Sequence, residues 1–380
     1  MDTISNEKLK EILDEHELWL TTGGHSGARA DLSEVDLKGV DLSERLLCFI
    51  DFSHADLTNA DLSNSDLRHA KLEEANLTNA DLSNSDLRAV DFYDAIFISA
   101  NLSNANLAET NLGNADDLTN ANLSHADLTR ANLTNAILPN ADLSHVKAHF
   151  AVFSYATFDK TDFWDADLSH ASFGTVNTIE ECPDLSTSTF SYANLSHAFL
   201  SGVDLRGADL THANLTGANL VLAKLKYADL SAADLSHACL YYAKLEEACL
   251  EDATLTDTDF REAVLDGANL SYTNHEDASF YYASTKNTIW DEDDLFGDDD
   301  DDWDEDDDKD DSVCDEDDTD ETTILEENEE TVTYEISLSD DDESLEECLD
   351  ILKDAMQEDG HWDETCDEAF AELRKQQKDD

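Results

Sequence analysis

Thirteen histidines, seven cysteines and 91 carboxylates are the chemistry-bearing residues of this 380-residue chain, and their spacing limits what they could do. Eight of the histidines (His54, His69, His125, His145, His170, His197, His212 and His237) fall at the same outward position of a five-residue period. His125 and His145 are twenty residues apart, a spacing that stacks them in adjacent coils, where two imidazoles could share a metal ion. The plainer reading is that this slot accepts any polar residue, so no metal site is assigned. By the same spacing Asp61 lies over Asp81 and Asp66 over Asp86, and at high salt such ladders hold diffuse hydrated cations rather than one bound ion. The acidic runs 298–302 and 304–308 lack the ligand order and central glycine of a calcium loop. The cysteines are odd in number and include no CxxC. Cys239 and Cys249, ten residues apart, are expected on opposite faces of one coil, too far apart for a disulfide. Free thiols fit a reducing cytoplasm. No phosphate loop, nucleophile elbow or zinc-type spacing occurs. The chain therefore reads as a non-enzyme, with no catalytic residues and no cofactor.

What must position these residues is the period itself. Every fifth residue from Leu32 to Phe280 is Leu or Phe, in three registers (32–112, 118–173 and 185–280). Of these 49 centres only Ala148 and His275 depart. Ala usually stands two before the centre, Asp or Asn one before, and Ser or Thr one after, as in Ala55-Asp56-Leu57-Thr58-Asn59. Five fits neither the 3.6 of a helix nor the 2.0 of a simple strand. If five residues make one short straight segment and a turn, four segments close a square coil of twenty residues. Alanine then fits the crowded inner corner and Leu or Phe fills the axis. Residues 30–285 would give about 13 coils and a rod roughly 60 Å long at a stacking distance of about 4.8 Å. Such a rod, with its axis filled, offers no obvious concave pocket.

This A(D/N)LXX pattern resembles the pentapeptide-repeat family, and the lead-in Leu9 to Leu32, with His16-Glu17-Leu18-Trp19-Leu20 and Gly23-Gly24, is similar to that of bacterial and archaeal members. The resemblance implies an all-β solenoid, a right-handed quadrilateral parallel β-helix.

Along the chain, residues 1–29 are expected to form a helical cap, with a helix over 6–20, Ser5 or Asn6 as N-cap, and Leu9, Ile12, Leu13 and Leu20 on its apolar face. The β-helix follows over 30–285. Its phase slips by one residue at Asp116-Asp117, read as an outward bulge, and by two within 174–183, read as a short loop. Residues 286–330 form an acidic low-complexity linker. Residues 331–377 read as a small strand-plus-two-helix module, too little to make more than a marginal core alone. No apolar run approaches the roughly 18 residues of a membrane span, and no signal peptide opens the chain, so a cytoplasmic protein that neither enters a membrane nor binds nucleic acid directly is expected.

The formal charge is −69. Residues 286–380 hold 44 acidic and 6 basic residues, and residues 30–285 hold 41 and 13. Acidity in every part predicts adaptation to multimolar salt and a halophilic archaeal source. On the face of Leu220, Leu240, Phe260 and Phe280, the outward pairs are Val221-Leu222, Tyr241-Tyr242, Arg261-Glu262 and Tyr281-Tyr282. Large apolar residues in three of four coils mark a candidate interaction face, because tyrosine is favoured at interfaces. It would be covered by the C-terminal helices, a homodimer seam or an unknown protein partner. The expected function is a rigid acidic rod mediating protein–protein contacts. The alternative, implied by resemblance to quinolone-resistance members, is a DNA mimic that binds a DNA-handling enzyme such as gyrase. A net −28 over residues 30–285 compares with about 35 charges on roughly 60 Å of duplex at one per 1.7 Å. Stacked carboxylates repel less when screened, and the Debye length is about 10 Å at 0.1 M salt. Melting temperature is therefore expected to rise between about 0.1 and 3 M salt; a salt-independent melting curve by circular dichroism would remove the halophile reading.

Overall fold

The computed structural model describes residues 2–113, 117–174 and 182–290. The end of the acidic linker beyond residue 290 and the 331–377 module lie outside the described residues.

One repeat explains the rest. In Asp56-Leu57-Thr58-Asn59-Ala60, Asp56 N–H donates to Val35 O in the preceding coil (3.0 Å). Leu57 and Asn59 N–H donate to Asn76 O (2.8 Å) and Thr78 O (2.9 Å) in the following coil. Ala60 N–H closes the turn onto Leu57 O at 2.9 Å. That leaves one donor, Thr58 N–H, which the side chain of Asp56 accepts at 3.2 Å. Every backbone donor of the pentapeptide is thus satisfied, as a half-buried chain requires. Asp and Asn suit the slot before the centre because they accept a hydrogen bond from the backbone two residues on. A Ser or Thr after the centre adds its own bond to the same oxygen, as from Ser43 Oγ to Asp41 at 2.7 Å.

The last residue of each repeat turns the corner in the left-handed region, as at Asn59 (φ 58°), His125 (59°) and Asp165 (51°). Asn, Asp and His tolerate that conformation better than most side chains, and Gly pays no steric penalty there. All eight histidines picked out by the period have positive φ. The slot also takes Glu34, Ser99, Arg130 and Lys160 at positive φ, so it does accept a range of polar residues, with Asn and His the most frequent.

Parallel bridges join residues twenty apart and define four faces. The first runs through Asp31, Asp51 and Lys71 to Asp259 and Ser279, and the third through Asp41, Asp61 and Asp81 to Asn269 and Ile289. The ladder thus outlasts the expected limit at residue 285, and Trp290 packs on the core against Phe280 at 5.6 Å. The spacing widens to 21 between Ile96 and Asp117, one extra residue as the phase predicted. It widens to 27 between Asp162 and Thr189. The slip of two in phase is thus an insertion of seven residues, because a phase modulo five hides one whole repeat. Those seven, 175–181, lie outside the described residues, as do residues 114–116. Among the described residues, no bridge joins Thr157 to Asp184, the pair this register would bring together. A cavity of about 370 Å³ opens there, between Tyr155–Phe158 and Cys182–Asp184.

The axis is the core. Its Leu and Phe centres are almost fully buried, with Ala in the inner corners. Beside the insertion Phe153, Phe158, Phe163, Phe173 and Phe190 form one cluster, with Phe163 stacked on Phe190 at 4.9 Å and Phe153 on Phe173 at 4.8 Å. At the N-terminal end, β1 (Asp2–Thr3) pairs in parallel with β2 (Val35–Asp36), extending the second face by one rung. Helix α1 (Asn6–Thr21) then covers the open axis, capped by Ser5, whose side chain accepts from Lys8 N–H. Its buried residues are Leu9, Leu13 and His16, whereas Leu20 is only half-buried. His16 Nδ1 accepts from Ala30 N–H at 3.0 Å, and burial pushes its pKa down, so the neutral ring ties helix to first coil.

Replacing Phe163 by Ala is expected to cost about 3–5 kcal/mol, because the close-packed cluster leaves a cavity that neighbouring coils cannot collapse into. Denaturant unfolding at fixed salt measures it, and a loss under about 1 kcal/mol would mean the axis relaxes freely.

Candidate interaction faces

The histidine and carboxylate ladders come first, because they could hold ions. The rings of His125 and His145 stack at 4.4 Å with planes 6° apart, so their nitrogens do not converge on a common ion. His145 Nδ1 instead faces Asp165 at 2.9 Å. Asp66 and Asp86 do bridge adjacent coils. Each, however, is paired with the arginine two residues on, Arg68 and Arg88, at 2.6 Å. The Arg68 guanidinium holds the Asp66 pKa at about 2. At this ladder the counter-cations are side chains of the same coils rather than diffuse ions. Cys239 and Cys249 lie on the first and third faces, opposite one another, and neither is in a disulfide. Cys48 is buried, and desolvation pushes its thiol up to about 11, which removes nucleophilic character.

The apolar face expected from the period is assembled on the first face. Bridges from Asn219 to Cys239, Cys239 to Asp259 and Asp259 to Ser279 stack its coils in register. Val221, Leu222, Tyr241 and Tyr242 are half-buried. Tyr281 and Tyr282 are 64% and 70% exposed. Tyr241 meets Tyr242 at 4.4 Å, and Tyr281 meets Tyr282 at 4.1 Å. Arg261, held to Asp259 at 2.8 Å, lies 5.8 Å over the Tyr241 ring, so the one polar coil in the series packs a cation against the first tyrosine pair. Leu222, Tyr242 and Tyr282 occupy the left-handed corner at φ 60°, 56° and 58°. A large side chain there is strained relative to Asn or Gly.

A second series was not found from the sequence. On the third face His125, His145, Trp164, Tyr192 and His212 form an unbroken column of rings. After the 4.4 Å His pair, Trp164 follows His145 edge-on at 4.6 Å. Tyr192 follows Trp164 at 6.4 Å, and His212 stacks on Tyr192 at 4.7 Å. Trp164 is 42% and Tyr192 53% exposed. The two are 28 residues apart across the insertion, and Trp164 sits one slot earlier than its neighbours, so a search at steps of twenty passes over them. Reading the insertion as seven residues would have aligned them.

Among the described residues no helix is long and apolar enough to cross a membrane. No curated protein matches the chain. Solved structures resemble it in part. HetL, a pentapeptide repeat protein involved in heterocyst differentiation regulation in the cyanobacterium Nostoc, is 26% identical over 72% of this chain and 92% of its own, with a TM-score of 0.20. QnrB1, a plasmid-mediated fluoroquinolone resistance protein, is 17% identical over 70% of this chain and 95% of its own, with a TM-score of 0.17. A pentapeptide repeat protein of the Arabidopsis thaliana thylakoid lumen is 26% identical over 36% and 64%, with a TM-score of 0.11. Superpositions at such scores carry no argument about function.

The strain at the corners generates a test. Tyr282→Asn is expected to stabilise the protein by about 0.5–1 kcal/mol, because Asn relieves the left-handed strain at an exposed site. Thermal and denaturant midpoints measure it; a fall would mean that the contact with Tyr281 outweighs the strain.

The pentapeptide-repeat signature matches this chain in eight copies across residues 50–174, 184–221 and 223–280. With the ladder of five-residue sides and twenty-residue coils, that match makes the chain a member of the pentapeptide-repeat family.

Proposed function

We propose that the repeat domain is a non-catalytic protein-interaction module, a rigid acidic solenoid of about 13 coils at the inter-strand spacing. The observation that carries this reading is the first-face series Val221/Leu222, Tyr241/Tyr242 and Tyr281/Tyr282. Val221, Tyr241 and Tyr281 take the first outward slot of their repeats and Leu222, Tyr242 and Tyr282 the corner, slots that elsewhere hold mostly small or polar side chains, and the three corner residues accept left-handed strain. A series retained at the expense of stability points to a role outside the fold. Contact is with a protein partner or with a second copy of the chain. Cytoplasmic location and salt adaptation belong to the same proposal. They rest on the free thiols, the −69 charge and the acidity of every segment.

A mimic of duplex DNA is the second reading, favoured by the net −28 of residues 30–285. The placement of cations weighs against it. Duplex DNA is anionic all round, whereas the second face carries Lys38, Lys160, Arg206, Lys224, Lys226 and Lys244. Absence of gyrase inhibition at micromolar protein and native salt would dismiss it.

The test of the main reading is the double variant Tyr241→Asp, Tyr281→Asp in the full-length chain. Its unfolding midpoint should stay near the wild-type value, since neither side chain enters the axis. Sedimentation and affinity capture at native salt should show loss of self-association or of a specific co-purifying protein. Identical oligomeric state and identical captured proteins would sink the proposal.

A further inference from the structure

The thirteen Lys and Arg of residues 30–285 are shared by three faces, and the third face has none. From Asp41 to Tyr272 that face holds eleven Asp and Glu, among them Asp142, Asp162, Asp165 and Asp209. The ion pairs that neutralise the rod, such as Lys71–Asp51, Lys38–Asp56, Arg88–Asp86 and Arg206–Asp204, all lie on the other faces. On the third face the pair between His145 and Asp165 stands in their place. Salt adaptation explains acidity on every face but not the exclusion of Lys and Arg from one of them.

In the middle of this anionic face runs the ring column His125–His145–Trp164–Tyr192–His212, about 19 Å long at one ring per coil. Trp164 and Tyr192 are its exposed large apolar members, His125 and His212 are exposed too, and His145 is half-buried. Trp164 stands at 83° to His145 and 76° to Tyr192, breaking the parallel stack. Asp162 accepts from the Trp164 backbone N–H at 2.9 Å, and Asp165, the next residue, pairs with the His145 ring that meets Trp164, so carboxylates precede and follow the tryptophan within its repeat.

The rod's own cations illustrate what such a surface takes. Arg130 lies 5.2 Å over Phe150, and Arg261 lies 5.8 Å over Tyr241 while chelated by Asp259. A guanidinium can stack on a ring and bind a carboxylate in the same plane, which an ammonium cannot do. At high ionic strength the Debye length falls to about 3 Å at 1 M, so coulombic attraction is muted and ring stacking supplies the recognition.

We infer that the third face is a docking surface for an arginine-bearing basic protein segment, read by Trp164 and Tyr192 between flanking carboxylates. A second copy is disfavoured, because two faces without a cation repel. Nucleic acid is disfavoured because there is no Lys or Arg to displace counterions. This inference rests on the interaction-module reading but names a different face and a defined chemistry.

The test titrates full-length protein with two synthetic peptides of equal length and charge, one arginine-rich and one lysine-rich, at two salt concentrations by calorimetry. Wild type should bind the arginine peptide about three- to fivefold more tightly, and the preference should grow with salt. Trp164→Ala with Tyr192→Ala should abolish the preference while leaving the unfolding midpoint near wild type. Trp164→Phe with Tyr192 intact should keep most of it. Equal binding of both peptides, no binding of either, or a preference that survives the double variant would each overturn the inference. A preference lost instead in Tyr241→Asp, Tyr281→Asp would overturn it too, while leaving the first-face reading standing.

Discussion

A backbone N–H that the inter-coil ladder cannot reach governs this protein. Four donors of each pentapeptide bond along the ladder or across the turn, and the fifth is left pointing at the side chain two residues earlier. Asp or Asn there completes the set, as Asp56 does for Thr58 and Asp162 for Trp164. From that bond follow the corner, the coil of twenty and a buried axis of Leu and Phe. The acidity of the rod is partly a by-product, because a slot that needs a short acceptor is filled as readily by Asp as by Asn.

The same corner explains what the surface can display. Left-handed backbone admits Asn, Asp, His and Gly cheaply and others with strain. The outward histidines are among the residues that suit this φ. Against that background the informative residues are those that do not suit their slot. Leu222, Tyr242 and Tyr282 on the first face and Tyr192 on the third belong to this group. The two faces differ in electrostatics: the first includes Arg261 beside its tyrosines, and the third has carboxylates and no cation.

Much of this was legible in the chain, because the period is local and nearly unbroken. The square coil, the inward Leu/Phe, the stacking of Val221, Tyr241, Arg261 and Tyr281, and the separation of Cys239 from Cys249 all follow from counting. Three features did not follow. The role of Asp and Asn as acceptors depends on where the ladder points each N–H, which no composition reveals. His16 was passed over for the apolar side of α1, since only the docked helix shows its ring accepting from Ala30. The Trp164–Tyr192 contact was hidden because a phase read modulo five cannot distinguish an insertion of two residues from one of seven.

The sequence by itself determined the repeating unit, since each pentapeptide carries its own acceptor, corner residue and core residue, and neighbouring copies impose the same register. Only the tertiary structure decided how faces align across the insertion. That alignment depends on which distant coil supplies the next rung, here Thr189 above Asp162. It is what gathers residues 28 apart into one column of rings and leaves that face without a cation.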